Sequence, residues 1–315
     1  MQAWRAGMIL LGAYPFALGL MDARSAAAQG EAPQRVISFV VIPDAHTFTG
    51  NLRYLPAIVD GINALPVQPD FVVSLGDNVS GGKDHDVLQD AIDYERQVSR
   101  LSADHHYVIG NHECIPIEVY KLLTWEQLLG AWGMESRWYS FDVAGLHVCV
   151  LDGWISLNTA AFRDVFRRQQ QWLLQDLKAT DRPTVVFIHQ ALGFQQQDCR
   201  HWIDTDNRKF WPPANFFQNT FEAYADKIVG VFEGHKHKSL HKTLSGVTYH
   251  QMGASHAHNG QYAQVFIDLA SREYFVQALP QPGEPDYEQT VQRTYGDPAV
   301  ARRAQGALPD GRTAP

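Results

Sequence analysis

The sequence predicts an α/β protein: a layered sandwich of helices on mixed sheets. Three observations carry this. Short β-branched and aromatic runs alternate with segments of helical period over the first third of the chain, and a hairpin signal and further buried runs follow. Polar residues of metal-binding type sit directly after several of those runs.

Val36–Ile42 is a continuous apolar run and reads as a buried strand. Leu52–Leu65 carries Leu52, Leu55, Ile58, Val59 and Ile62 at helical spacing. Phe71–Leu75 is a second strand. Val87–Leu101 is a second amphipathic helix, apolar at Val87, Leu88, Ala91, Tyr94, Val98 and Leu101. Tyr107–Ile109 is a third strand. Trp138–Val143 and Leu146–Leu151 flank Ala144-Gly145, a hairpin signal. Gln169–Leu177 is a helix, and Thr184–Ile188 and Ile228–Phe232 are buried strands. Val247–Met252, Ala263–Leu269 and Glu273–Leu279 read as a β meander. From Pro280 the composition shifts to Pro, Gly, Ala and charge, so residues 280–315 are expected to be a poorly ordered tail. The catalytic domain is placed at 34–279.

The N-terminus reads as an export signal over residues 1–28. Arg5 is its basic element, Ala6–Met21 its apolar stretch, and Ser25-Ala26-Ala27-Ala28 offers small residues for cleavage. The alternative is an uncleaved anchor. No later segment is long and apolar enough to span a bilayer, so no stable span is expected after cleavage. The expected location is periplasmic or secreted. The net charge of -8, without a long basic run, argues against a nucleic-acid partner. Export permits disulfides. Cys149 lies inside a strand-like run, whereas Cys114 and Cys199 lie in loop-like segments and are able to pair.

Five of the strands run out into polar groups: Asp44 and His46, Asp77, Asn111 and His112, His189, and His235 and His237. In an open α/β sheet the carboxyl ends of strands form the ligand-binding rim. In extended chain, residues i and i+2 point the same way, so Asp44 with His46, and His235 with His237, are able to face one ion. Gly76, Gly110 and Gly234 precede candidate ligands and permit tight turns and close approach. Any one of these motifs is weak, because a lone Asp-x-His or Gly-Asp is usually a surface pair or a turn. The ordered set is what carries weight.

That ordered set resembles the calcineurin-like metallophosphoesterase superfamily, over about residues 36–279. Tyr139-Ser140-Phe141-Asp142 with Val148–Gly153 looks like the family hairpin, and Gln171-Trp172-Leu173 like the helix after it. The resemblance implies an α/β/β/α sandwich of two mixed sheets, with the metal site at the strand C-terminal ends. It implies two divalent or trivalent ions, Mn, Fe, Zn or Co. Asp44, His46 and His237 would hold the first, Asn111, His189 and His235 the second, and Asp77 would bridge them. His112 would face the substrate outside the metal shell, as the catalytic residue. There are departures. Gln190-Ala191 follows His189 where many members have Pro two residues on. Three residues after Asp77 stands Ser80, not the Tyr that binds iron in purple acid phosphatases, and His46 differs from their Asp-x-Gly start. Purple colour chemistry is therefore not implied.

The implied activity is hydrolysis of a phosphoric ester, by attack of a metal-bridging hydroxide on a small phosphorylated substrate, with a nucleotide-like molecule one option. His112 would protonate the leaving alkoxide. A nitrogen and oxygen ligand set without thiolate suits Mn, Fe, Zn or Co. Gly110-Asn111-His112-Glu113 and the following hairpin are similar to the cyclic-nucleotide phosphodiesterase and ADP-ribose/CDP-alcohol diphosphatase branches, which favours a phosphodiester or pyrophosphate bond. A phosphomonoesterase is the close alternative, and a non-catalytic scaffold on the same fold a further one. A mononuclear zinc peptidase is disfavoured, since no His-Glu-x-x-His is present. Glu113 and Asp152 are possible imidazole-orienting acids or ordinary surface acids. His256 and His258 are possible rim residues. The aromatic-rich stretch 194–217 serves core packing or ring stacking.

Overall fold

The computed structural model describes residues 36–153, 160–193, 212–256, 261–280 and 293–306. The first sheet collects β1 (Val36–Ile42), β2 (Phe71–Ser74), β3 (Asp104–Tyr107), β10 (Gln261–Asp268), β11 (Tyr274–Pro280) and β12 (Tyr295–Gly296) in the order β12-β11-β10-β1-β2-β3. The second collects β4 (Tyr139–Val143), β5 (Leu146–Leu151), β6 (Thr184–Ile188), β7 (Ile228–Glu233), β8 (Leu240–Leu244) and β9 (Val247–Gln251) in the order β4-β5-β6-β7-β9-β8. Each sheet has a parallel centre, β1-β2-β3 and β5-β6-β7-β9, with antiparallel strands at one or both flanks. Both sheets are mixed, as the sequence predicts.

The strand period of two sorts side chains between layers. In β1, Ile37, Phe39 and Val41 face the second sheet, where they meet Val148, Val150, Val185, Phe187 and Phe232. Phe39 stacks on Phe71 at 4.9 Å and meets Phe232 edge-on at 5.2 Å. The alternate residues Val40 and Ile42 pack outward on α1 (Leu55–Asn63), α2 (Val87–Val98) and α4 (Trp125–Ala131). In β6, Val185 and Phe187 face inward, while Val186 and Ile188 pack on α5 (Ala160–Ala179) and α6 (Pro212–Ala223). The result is four layers, α/β/β/α. No helix among the described residues is long and apolar enough to cross a membrane.

Several expectations need correction. The third strand is Asp104–Tyr107, not Tyr107–Ile109; it pairs with β2 as a half-exposed flank, so its start is polar. The expected meander is divided. Val247–Gln251 pairs with β7 and β8 in the second sheet, whereas Gln261–Asp268 and Tyr274–Pro280 pair in the first. The stretch 280–315 is not simply a poorly ordered tail. Tyr295–Gly296 adds to the first sheet, and α7 (Pro298–Gly306) buries Val300 and Ala301 against Val36 and Phe266. Cys114 is not in a loop. It lies buried and unpaired in α3 (Asn111–Glu118), and Cys149 is likewise a buried free thiol. Residues 1–28, Cys199 and His258 lie outside the described residues. So does 194–211 of the aromatic stretch, but Phe217 is buried among Phe166, Phe221 and Leu192, where core packing is its role.

A polar cluster ties α5 to the β4–β5 hairpin. His147 meets Asp142 Oδ1 at 2.7 Å through Nδ1 and Asp176 Oδ2 at 2.9 Å through Nε2. Ser140 donates to Asp176 Oδ1 at 2.7 Å, and the Cys149 thiol to Oδ2 at 3.2 Å. Burial works against the His147 charge, but the Asp176 and Asp142 bonds prevail and raise its pKa above 6.5. The stabilisation is therefore complete below about pH 6.5 and is lost as pH rises through the higher folded value. His147→Gln is expected to melt below wild type at neutral pH, with the gap narrowing toward pH 9. Parallel melting curves across that range check it, and a gap that widens contradicts it.

Candidate metal centre

The carboxyl ends of β1, β2, β6 and β7, with the start of α3, meet at one rim. The turns there are unusual. Asp44, His46, Asp77, His235 and His237 all have positive φ, from 44° to 71°. The two i, i+2 pairs are thus not extended chain, as expected from spacing, but left-handed turns that aim both side chains inward. Such conformations cost non-glycine residues about 1–2 kcal/mol each and persist where surrounding bonds impose them. Here His46 N–H donates to Asp77 O at 2.9 Å, Asp44 N–H to Gly76 O at 3.2 Å, and His235 N–H to Asp44 Oδ1 at 3.0 Å. The last bond joins the loops of the two sheets. Gly76 lies at φ 86°, and a Cβ there would come within 2.6 Å of the His189 ring, so that turn requires glycine.

All seven predicted ligands converge. On one side, His46 Nε2 and His237 Nε2 are 3.3 Å apart, and His237 Nε2 is 3.3 Å from Asp44 Oδ1. On the other, Asn111 Oδ1 is 2.8 Å from His235 Nδ1 and 3.2 Å from His189 Nε2. Asp77 Oδ2 lies between, 3.1 Å from His189 Nε2 and 3.8 Å from His46 Nε2. His189 Nδ1 donates to Leu75 O at 2.9 Å, which turns Nε2 toward the site. His112 Nδ1 bonds Ser80 O, and its Nε2 is 4.0 Å from Asp77 Oδ2.

Electrostatics fit metal binding. Burial drives His46 down to about 2, only partly offset by Asp77, and drives His235 down to about 3. Both rings are therefore neutral with lone pairs to give. Burial opposes charge on His189, but Asp77 raises it to about 10. Burial alone would raise Asp77, yet the facing His189, His112 and His46 hold it below the ordinary carboxylate range. An ionised carboxylate that draws protons to its neighbours is where a cation would replace them. The donors are imidazole nitrogen, carboxylate and carboxamide oxygen, in two groups sharing one carboxylate, and they fit two hard or borderline ions.

Glu113 is a residue whose weight sequence reading undervalued. It is fully buried and accepts N–H bonds from Asp77 (3.0 Å), Asn78 (2.6 Å), Val79 (3.2 Å) and Gly110 (2.7 Å). Burial and the Asp77 charge push its pKa up to about 7, against the pull of those donors. It orders the loop that carries Asp77 and touches no imidazole in this network. Asp152 serves elsewhere. It pairs with Arg137, which also faces Glu118 at 3.6 Å and stacks on Trp125 at 4.0 Å. The His147, Cys149 and Asp176 group also has metal-ligand spacing. Its hydrogen bonds already occupy both imidazole nitrogens, and burial pushes the Cys149 thiol well up, so it reads as a proton-bonded clamp.

The sheet ends of this four-layer sandwich gather carboxylates, a carboxamide and imidazoles in one place. Residues 37–239 match the model of the calcineurin-like phosphoesterase family, and the chain belongs to that family. It is 26% identical over 167 residues to purple acid phosphatase 22 of Arabidopsis thaliana, a match covering 49% of this chain and 35% of the plant protein. The match thus spans about a third of that relative's length. Among solved structures, it is similar to GAP50, the anchor in the inner membrane complex of Plasmodium. The TM-score is 0.55 at 14% identity, covering 90% of this chain and 98% of the other. It is also similar to a putative 5'-nucleotidase from Staphylococcus aureus, with TM-score 0.50 and 18% identity over 86% of this chain and 57% of the other. At those identities the two structures speak for the fold alone.

Proposed function

We propose that the protein hydrolyses a phosphodiester or pyrophosphate bond in a small phosphorylated substrate, using two metal ions held by the seven converging residues. The observation that carries this reading is the position of Asp77 Oδ2. It lies 3.1 Å from His189 and 3.8 Å from His46, with His112 Nε2 4.0 Å away on the open side. Bound there, the ions would supply an activated water and neutralise charge on the phosphoryl oxygens. Asn111 turns its Oδ1 to His189 and His235, which leaves its amide N–H groups for a phosphoryl oxygen. His112, fixed through Nδ1 on Ser80 O, holds at Nε2 the proton that the leaving oxygen takes up.

The preference for a diester or pyrophosphate rests on the likeness of Gly110–Glu113 and the β4–β5 hairpin to phosphodiesterase and diphosphatase branches. A panel of bis(p-nitrophenyl) phosphate, p-nitrophenyl phosphate, a cyclic nucleotide and a nucleotide sugar, each with Mn, Zn, Fe or Co, tests it. We expect kcat/KM for a diester or pyrophosphate to exceed that for the monoester by about tenfold, or about 1.4 kcal/mol. Comparable rates across the panel remove the preference, and no hydrolysis by the metal-loaded, folded protein removes the enzyme reading. We also propose export, from Arg5, Ala6–Met21 and Ser25–Ala28. N-terminal sequencing of the mature protein is expected to start after Ala28, and a mature chain retaining residues 1–28 contradicts cleavage.

A further inference from the structure

His256 follows β9 and is not among the seven residues of the expected ligand set. We infer that His256 is an additional ligand of the first metal position, binding through Nε2 beside Asp44, His46 and His237. The inference rests on the two-ion reading above and extends it.

Three observations support it. First, the segment is fastened to the site by the backbone. Ser255 N–H donates to Pro43 O at 2.8 Å, and the His256 Nδ1 lies 2.8 Å from Asp44 O. An imidazole nitrogen facing a carbonyl must carry the proton, so Nε2 is the lone-pair nitrogen. This is the arrangement His189 has with Leu75 O, where a carbonyl sets the tautomer and turns Nε2 toward a metal position. Second, the ring is in place. It meets His46 edge-on at 4.5 Å and His237 at 4.8 Å, and one donor atom from each of the three lies within 4.8 Å of the others. Metal–ligand bonds of about 2.0–2.2 Å put donors on one ion up to about 4.4 Å apart, so shifts of a few tenths of an ångström bring the set onto a common centre. Third, His256 differs from His112 in what it faces. His112 Nε2 lies 4.0 Å from the Asp77 carboxylate and its Nδ1 is held by Ser80 O. His256 has the His46 and His237 rings as its neighbours, with the backbone O of Asp44, of the same first position, bonded at its Nδ1 side.

The consequence is asymmetry. The first position would have three imidazoles with Asp44 and the shared Asp77, and the second two imidazoles with Asn111 and Asp77. A nitrogen-rich first position would hold its ion more tightly and favour Zn, Co or Fe over Mn there.

The test is chelator competition on the metal-stripped full chain, with Zn titrated into wild type, His256→Gln and His256→Ala. Co absorption spectra of the same proteins give a readout independent of activity. We expect wild type to show a tight and a weaker site. Loss of His256 should weaken the tight site on the order of 10- to 100-fold, leave the other within threefold, and alter the Co spectrum. Added imidazole should restore the spectrum of His256→Ala. Unchanged Zn affinities and Co spectra in both variants overturn the assignment and leave His256 a wall of the pocket. A wild type that binds no metal defeats the two-ion reading itself, and is distinguished by that.

Discussion

Asp77→Asn is expected to abolish turnover while the protein stays folded. The carboxylate Oδ2 is the one oxygen placed between both donor groups, and its Oδ1 accepts the His112 N–H at 2.8 Å. An amide of the same shape keeps a carbonyl oxygen for that bond, so the α3 start should survive. What it loses is the negative charge that faces three imidazoles and that two cations would share in the proposed centre. We expect kcat/KM to fall on the order of a thousandfold or more, about 4 kcal/mol of transition-state stabilisation, and at least one metal to be lost. Circular dichroism, metal analysis and steady-state kinetics on matched samples check this. An Asp77→Asn protein that keeps both ions and near-wild-type turnover would show that this carboxylate is no bridge.

Glu113→Ala should produce the largest stability loss at the site. Its carboxylate collects four backbone N–H groups, three of them from the consecutive residues 77–79. All are buried around a side chain with no exposure. Orphaned buried donors cost about 1–3 kcal/mol each, and water entering the hole offsets part of that. A net loss of about 4 kcal/mol is expected, which for a chain of this size lowers the melting temperature on the order of 10 °C. Glu113→Gln keeps an acceptor oxygen and should fall between. If Glu113→Ala melts with wild type, the loop holding Asp77 is ordered by something else.

The contrast between Asp77 and Glu113 shows what was legible in the sequence. Candidate ligands are legible because a metal needs particular side-chain chemistry, and because strand ends deliver it in a recognisable order. The strand order offers eight polar groups, the family resemblance marks seven of them as ligands, and the structure brings all seven to one place. Glu113 acts through backbone amides, and amides leave no mark in the sequence, so its carboxylate looked like any loop acid. The left-handed turns at Asp44, His46, His235 and His237 were hidden for the same reason: spacing fixes which residues face inward, and says little about the φ that gets them there.

Long-range pairing explains the other misses. Val247–Gln251 and Gln261–Asp268 are neighbours in sequence with equally strong strand patterns, and nothing local says that they join different sheets. The helix Pro298–Gly306 is hidden in the sequence because it lies in a segment rich in Pro and Gly. Its burial comes from the narrow stripe of Val300 and Ala301, too short to register as an amphipathic helix. Asp152 reads in the sequence as an imidazole-orienting or an ordinary surface acid, and its ion pair with Arg137 gives it another purpose. The buried runs at Val36–Ile42, Thr184–Ile188 and Ile228–Glu233 were readable because burial on both faces demands unbroken apolar sequence.

Anomalous scattering from crystals soaked in Mn or Zn, recorded at the metal absorption edge, tests the central claim most directly. Two peaks about 3.5–4 Å apart are expected, one among Asp44, His46 and His237 and one among Asn111, His189 and His235, with Asp77 between. A single peak, none, or density confined to the His147, Cys149 and Asp176 cluster would contradict the binuclear centre.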